Sequence, residues 1–282
     1  MNGLNTQRVR ALGGELRFLR TGQGPTVVLL HTLATQFEYF IPLMRALDRD
    51  LEIVAPDLPG HGRSSAPDVE YTARYFTDVV EQFLDALDLR RVLLVGESIG
   101  ASIGLALAAR GNPRLAGVVA LNPYDYGRGG GIRRSSPLAN VLFTAVTWPL
   151  VGSVVARTAT KGIIRKVMEG GVYDPRNLPS DLINEIWVCG KLPGHARAFR
   201  SLSRQWKTWI VARAAYAAAE LPTTLVYGDH DWSRPEDREA DRRVLRSART
   251  LELEHCGHFS CLDQPRQIAS VIRDEVSRIG RS

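Results

Sequence analysis

Five short stretches of the chain are apolar at nearly every position: Thr26 to His31 (TVVLLH), Leu51 to Pro56 (LEIVAP), Arg91 to Gly96 (RVLLVG), Leu115 to Asn122 (LAGVVALN) and Thr223 to Gly228 (TTLVYG). They have strand length, are rich in β-branched residues and are bounded by Gly or Pro, which is how strands buried on both faces of a sheet read. Between and after them the apolar positions recur at helical spacing, in FEYFIPLMRALD, TARYFTDVVEQFLDALD, IGASIGLALAAR, EDREADRRVLR and QPRQIASVIRDEVSRI. Strand alternating with helix predicts βαβ units: an α/β fold with a mostly parallel central sheet flanked by helices. Near the N-terminus, VRALGGELRFLR reads as two short strands meeting at Gly13-Gly14, where a tight turn needs residues that tolerate positive φ. TLELEH (Thr250 to His255) reads as one more short strand.

The alternation stops after Asn122. About a hundred residues then read as helix upon helix, interrupted by GRGGG and by VYDPRNLPS. The expected organisation is a core of residues 1–122 and 222–282 with a helical cap, or lid, inserted at 123–221. GRGGG (Gly127 to Gly131) looks like a phosphate cradle but lacks the Lys-Ser/Thr ending of a P-loop, so it reads as a hinge. Leu138 to Ala156 is a run of 19 residues without a charge, close to a membrane span. Pro149, Gly152 and several Thr, Ser and Asn residues break it, so it predicts a pair of buried or pocket-lining helices, with contact at a membrane surface as the alternative.

Composition alters little in this picture. Over 282 residues, 44% are apolar and 23% charged, as in ordinary globular proteins. The net charge of +6 is unevenly placed: residues 123–221 hold 14 Lys/Arg against 6 Asp/Glu, the remainder 22 against 24. The basic excess therefore belongs to the insertion, where it is either a solvated surface or a preference for anionic groups. Nucleic acid is not an expected partner. The N-terminal segment has no apolar run of signal-peptide length, so a cytoplasmic location is expected. Cys189, Cys256 and Cys261 are odd in number and two share one short loop, which points to reduced thiols.

Candidate chemistry begins directly after RVLLV, where GESIG (Gly96 to Gly100) leads into an Ala- and Leu-rich helix. Strand, GxSxG, helix is a nucleophile-elbow pattern, with the serine on a sharp turn and the glycines allowing close backbone approach. A second match, GASIG at Gly100 to Gly104, lies a turn into the helix and reads as packing. A serine needs a base to take its proton and a carboxylate to orient that base. Asp229 and Asp231 follow the strand TTLVYG, and His258 follows TLELEH; Asp125, after the preceding strand, is a fallback acid. HCGHFSC (His255 to Cys261) could also suggest a metal cluster, but its spacing offers no two clips of the kind that structural zinc sites use. No metal and no cofactor are expected.

With DLPGHGRSS after an early strand, GESIG, YGDHDWSRP and GHFSCLDQP in this order, the chain resembles the α/β-hydrolase fold superfamily, with a helical cap, over nearly its whole length. The resemblance implies Ser98 as nucleophile, His258 as base and Asp231 as acid, since Gly228, Asp231 and Pro235 fit the spacing of the acid loop. It implies an oxyanion hole from the amides of Ile99 and Leu33. His31-Thr32-Leu33 departs from the family's His-Gly-x, and the Thr32 hydroxyl or Gln36 are candidates to assist. His31, Thr32, Phe143, Trp148, Trp206 and Trp209 are expected to contact substrate, the last two from a stripe that also holds Ile210 and Tyr216. The expected activity is hydrolysis of a small to medium hydrophobic ester through an acyl-enzyme. Carbon-carbon bond hydrolase, perhydrolase and thioesterase chemistry share the same triad, and a slow-turnover ligand-binding member would keep it too. Dehalogenase and epoxide-hydrolase relatives carry Asp at the elbow instead.

Overall fold

The computed structural model describes residues 5–12, 14–47, 50–126, 131–149 and 151–281. Eight strands form one sheet: β1 (Thr6–Ala11), β2 (Gly14–Thr21), β3 (Thr26–Leu30), β4 (Glu52–Pro56), β5 (Val92–Glu97), β6 (Leu115–Leu121), β7 (Thr223–Gly228) and β8 (Arg249–Leu253). Their order is β1-β2-β4-β3-β5-β6-β7-β8, antiparallel at β1-β2 and β2-β4 and parallel elsewhere. The chain runs outward from β3 to β4, then returns to add β5 on the other side of β3. Such a switch point opens a crevice at the carboxyl ends of the two central strands, where α/β sheets bind ligands.

Helices α1 (Ile41–Ala46), α2 (Ala73–Ala86), α3 (Ile99–Ala109), α10 (Pro235–Val244), α11 (Ser260–Asp263) and α12 (Pro265–Ile279) belong to the core. The two-residue period of the strands decides which helix each residue meets. Leu94 and Val118 lie against Gly104 of α3, whereas their neighbours Leu93 and Gly117 lie with Ile279 of α12. Helices therefore cover both faces, which is why β3, β5 and β6 tolerate near-continuous apolar sequence.

Between β6 and β7 lie α4 (Pro137–Val146), α5 (Gly152–Thr158), α6 (Lys161–Glu169), α7 (Ser180–Cys189), α8 (His195–Arg204) and α9 (Lys207–Arg213), with no strand among the described residues. They dock on loops that leave the carboxyl ends of strands: His195 Nε2 on the Gly62 carbonyl at 3.0 Å, the Phe259 amide on the Gly171 carbonyl at 2.8 Å, Trp232 Nε1 on the Gly170 carbonyl at 2.8 Å. The insertion thus sits over the crevice. The uncharged run from Leu138 is broken into α4 and α5. Phe143 and Val146 turn inward, Val141 and Val154 outward. No helix among the described residues is long and apolar enough to cross a membrane. Gly13 and residues 127–130 of the GRGGG segment lie outside the described residues.

Candidate active site

Ser98 sits between β5 and α3 with φ 60° and ψ −116°, a backbone conformation uncommon for a residue with a Cβ. The turn is this sharp because two glycines permit it. A Cβ on Gly96 would stand 2.2 Å from the Gly100 carbonyl, and one on Gly100 would stand 2.1 Å from the Leu30 carbonyl oxygen of β3. The Ser98 amide is bonded to the Leu121 carbonyl at 2.9 Å, which fixes the turn to the neighbouring strand.

After β7, Asp231 turns inward and meets His258: Nδ1 to Oδ1 is 2.5 Å, and neither side chain has solvent exposure. A carboxylate can only accept, so Nδ1 donates and Nε2 is left as the basic nitrogen. Nε2 has no hydrogen-bond partner among the described residues. Burial pushes the Asp231 carboxyl up, but His258 and the Ser233 amide outweigh it and hold the group below its ordinary range. Trp232 stacks on the imidazole at 3.9 Å between ring centroids and 13° between planes, which blocks rotation of the ring. Tyr126 adds its hydroxyl 3.4 Å from Asp231 Oδ2.

Two buried polar side chains draw these loops together. Glu97, which precedes Ser98, accepts from both the amide and the hydroxyl of Ser260 at 2.6 Å, and from the Tyr39 hydroxyl. Ser260 lies two residues after His258, so Glu97 ties the serine turn to the histidine loop. Burial raises the Glu97 carboxyl above its usual range despite those bonds. Asn122, at the end of β6, donates to the His258 carbonyl at 3.0 Å and Ser260 Oγ at 2.8 Å, and accepts from the Gly228 amide at 3.0 Å. Glu97, Asn122, Ser260, Tyr126 and Trp232 are missed by motif reasoning. Glu97 left a signal: a charge at the end of an otherwise apolar strand.

Asp229 faces the other way. It accepts from the His255 and Cys256 amides and from the His230 ring; burial pushes its carboxyl up, but these bonds together outweigh it and lower the group to about 2. Asp125 is buried without a hydrogen-bond partner for either oxygen among the described residues, and burial pushes it well above the carboxylate range. Cys256 and Cys261 are fully buried with their thiols pushed up by desolvation, and among the described residues no group of three or more metal-ligating side chains converges.

The loop after β3 has its left-handed residue at Ala34 (φ 59°) rather than at Thr32, so no glycine is required after His31. His31 Nε2 accepts from the Leu58 amide at 2.9 Å, which leaves Nδ1 to donate to the Thr32 carbonyl at 2.8 Å; the Thr35 hydroxyl adds a bond at 2.9 Å. A trans peptide holds its carbonyl and amide on opposite sides, so gripping the Thr32 carbonyl turns the Leu33 amide away from that cluster. Leu33 and Ile99 line one small cleft of about 20 Å³ with Phe143 and Trp206. Ile99 opens α3, so its amide has no intrahelical acceptor.

Four expected substrate contacts stand elsewhere. His31 is wholly buried with both ring nitrogens engaged, and burial lowers it to about 4. Thr32 is buried and shapes the loop through its carbonyl. Trp148 lies in the turn after α4, 55% exposed, because Arg200 grips its carbonyl there. Trp209 is 1% exposed and packs on Phe76 of α2 at 5.9 Å, on the side of α9 that meets the core. Phe143 and Trp206 do border the cleft. From it, Leu33, Ile132 and Phe143 continue into a chamber of about 270 Å³ walled by Val146, Val155, Met168 and other apolar side chains. Gln36 lies off this path, in a side chamber of about 140 Å³ beside His61.

Comparison with known proteins places the fold. The pattern of the alpha/beta hydrolase family matches residues 27–271. The chain is 33% identical over 280 residues to a cis-3-alkyl-4-alkyloxetan-2-one decarboxylase from Shewanella oneidensis, covering 93% of this chain and 85% of that one. It is 28% identical to a 2-hydroxy-6-oxo-2,4-heptadienoate hydrolase from Pseudomonas putida, with 94% of each covered. The haloalkane dehalogenase DatA from Agrobacterium tumefaciens superposes with a TM-score of 0.84 at 22% identity over 99% of this chain and 98% of that one, a likeness of fold. This chain belongs to the alpha/beta hydrolase family.

Proposed function

We propose that the protein is a serine hydrolase for a hydrophobic carboxylic ester, with residues 123–221 as the cap. Ser98 attacks the carbonyl carbon, His258 Nε2 takes its proton and returns it to the leaving alcohol, and Asp231 holds His258 in the tautomer that makes this transfer. The amides of Leu33 and Ile99 receive the developing negative charge. Water then attacks the acyl-enzyme with His258 again as base, freeing the acid and restoring Ser98. The observation that carries the reading is the buried His258–Asp231 pair, with Nε2 unengaged among the described residues, tethered through Ser260 to the residue next to Ser98. The apolar chamber beside Leu33 supports an alkyl or acyl chain as the bound group.

Carbon-carbon bond hydrolysis is the second reading, favoured by the similarity to the heptadienoate hydrolase over nearly the full length of both chains. Fluorophosphonate labelling tests the nucleophile: wild type should label and Ser98→Ala should not. Equal labelling of both proteins, or none of wild type, overturns the reading. A series of 4-nitrophenyl esters against a vinylogous diketo acid then separates the two chemistries by which substrate shows the higher kcat/KM.

A further inference from the structure

The side chamber shares Ala156, Ala159, Ile164, Ile186 and Phe199 with the main chamber. On its far side it shares Gly190 and Ala196 with a groove of about 680 Å³ between α5 and the start of α8. Cleft, chamber, side chamber and groove therefore border one another in turn, from Ile99 to the outside of the insertion. Their chemistry changes along the way. Gln36 is 1% exposed, and its Nε2 has no acceptor among the described residues, so the side chamber holds a buried donor that lacks a partner. The groove is lined by Arg157, Lys191, Arg197 and Arg200 and, among the described residues, by no acidic residue.

Like charges gathered at one opening repel, and proteins ordinarily relieve this with carboxylates. Among the described residues only Arg197 has one, Asp68 at 3.0 Å. Arg200 spends its donors on Ser153 Oγ and on the carbonyls of Val146, Trp148 and Pro149, which fixes its position and leaves its charge uncompensated. Lys191 lies 3.6 Å from the Trp187 ring centroid, and Arg157 has neither hydrogen bond nor ion pair among the described residues. Four of the 14 Lys/Arg of residues 123–221 thus line this one groove.

We propose that this groove is the mouth of the substrate cavity and that the substrate is an anionic amphiphile: an ester carbonyl for Ser98, an apolar chain in the chambers, and an anionic group held by Arg157 and Lys191 with Arg200 behind them. The proposal rests on the hydrolase reading for the carbonyl alone. Two pairs of probes place the anion on either side of the ester: monomethyl dodecanedioate against methyl dodecanoate, and the butyrate ester of an ω-hydroxydodecanoate against dodecyl butyrate. In one pair the anionic member should have roughly tenfold higher kcat/KM at low salt, and high salt should erase the difference. The double variant Arg157→Gln/Lys191→Gln should remove that preference and leave the neutral member within about twofold. No anionic preference in either pair, or an equal loss for both members in the variant, overturns the proposal. Calorimetry of dodecanoate binding to Ser98→Ala reads the mouth without turnover, and the double variant should weaken it roughly tenfold. Dodecanoate binding that survives when wild type takes no fluorophosphonate label would sink the hydrolase reading alone. Labelling without anionic preference would sink this proposal alone.

Discussion

The sheet core and the helical insertion solve different problems with different side chains. In the core, several buried side chains near Ser98 are heavily bonded: Glu97 to Ser260 and Tyr39, Asn122 to the His258 loop and to Gly228 at the end of β7, Asp57 to Arg17, Phe37 and Arg63. In the insertion, Val141, Trp148, Val154 and Val211 are each more than half exposed, and the interior is an apolar space rather than a packed wall. Polar networks of fixed geometry suit a reaction that tolerates displacements of less than about 1 Å. Non-directional apolar walls suit a chain that must enter and leave. On the proposed hydrolase reading, chemistry belongs to the core and selection to the insertion.

The sharpest way to break that division is to remove the reacting groups. Ser98→Ala and His258→Ala should each lower kcat by about 10⁴- to 10⁶-fold with an unchanged circular dichroism spectrum; retention of more than a tenth of the activity would move the chemistry elsewhere. Asp231→Asn keeps the shape but can present the wrong tautomer to Nδ1, with an expected loss of about 10³- to 10⁴-fold. Glu97→Gln tests the tether. It should lower kcat by roughly 10- to 100-fold while KM stays nearly constant, since only the placement of His258 relative to Ser98 is disturbed. A change in the insertion should behave oppositely. Ala156→Phe narrows the passage between the two chambers, so long-chain esters should lose about tenfold or more in kcat/KM while acetate esters are spared.

Acid should expose the core's dependence on buried neutral groups. Burial lowers His31 to about 4 and His61 to about 3, below the unfolded value of about 6.5. Between those limits the unfolded chain binds more protons, so stability is full above about pH 6.5 and falls as pH drops through the window toward 4. Urea midpoints measured from pH 7 to pH 5 should decline, and His61→Gln should flatten the decline. The smallest effect belongs to the cysteines: Cys256→Ser and Cys261→Ser should keep kcat within about twofold, at a stability loss of about 1–3 kcal/mol for an added buried hydroxyl.

Much of this was legible in the order of residues. Strands buried on both faces need unbroken apolar runs, so β3 to β7 announce themselves, and GESIG, DHD and GHF stand out because tight turns and reactive groups demand particular residue types at short spacing. The choice of Asp231 over Asp229 followed from the acid-loop spacing of the family the chain resembles, and the structure directs the two carboxylates to different partners. The substrate-facing set read poorly. Trp148 and Trp209 look equivalent to Trp206 in sequence, yet one faces solvent and one the core, because the face a helix presents depends on what it packs against. His31 looked like a pocket group and is instead the clamp on the Thr32 carbonyl.

Local sequence alone determined the strands and the elbow turn and singled out the candidate reactive side chains, since each follows from steric rules or chemistry within a few residues. Only the tertiary structure decided how Glu97 and Asn122 join loops more than a hundred residues apart, which groups hold the Thr32 carbonyl, and which charges of residues 123–221 meet at one groove. Those are contacts between distant segments, and a short hydrophobic or charged pattern carries no record of the partner it will meet.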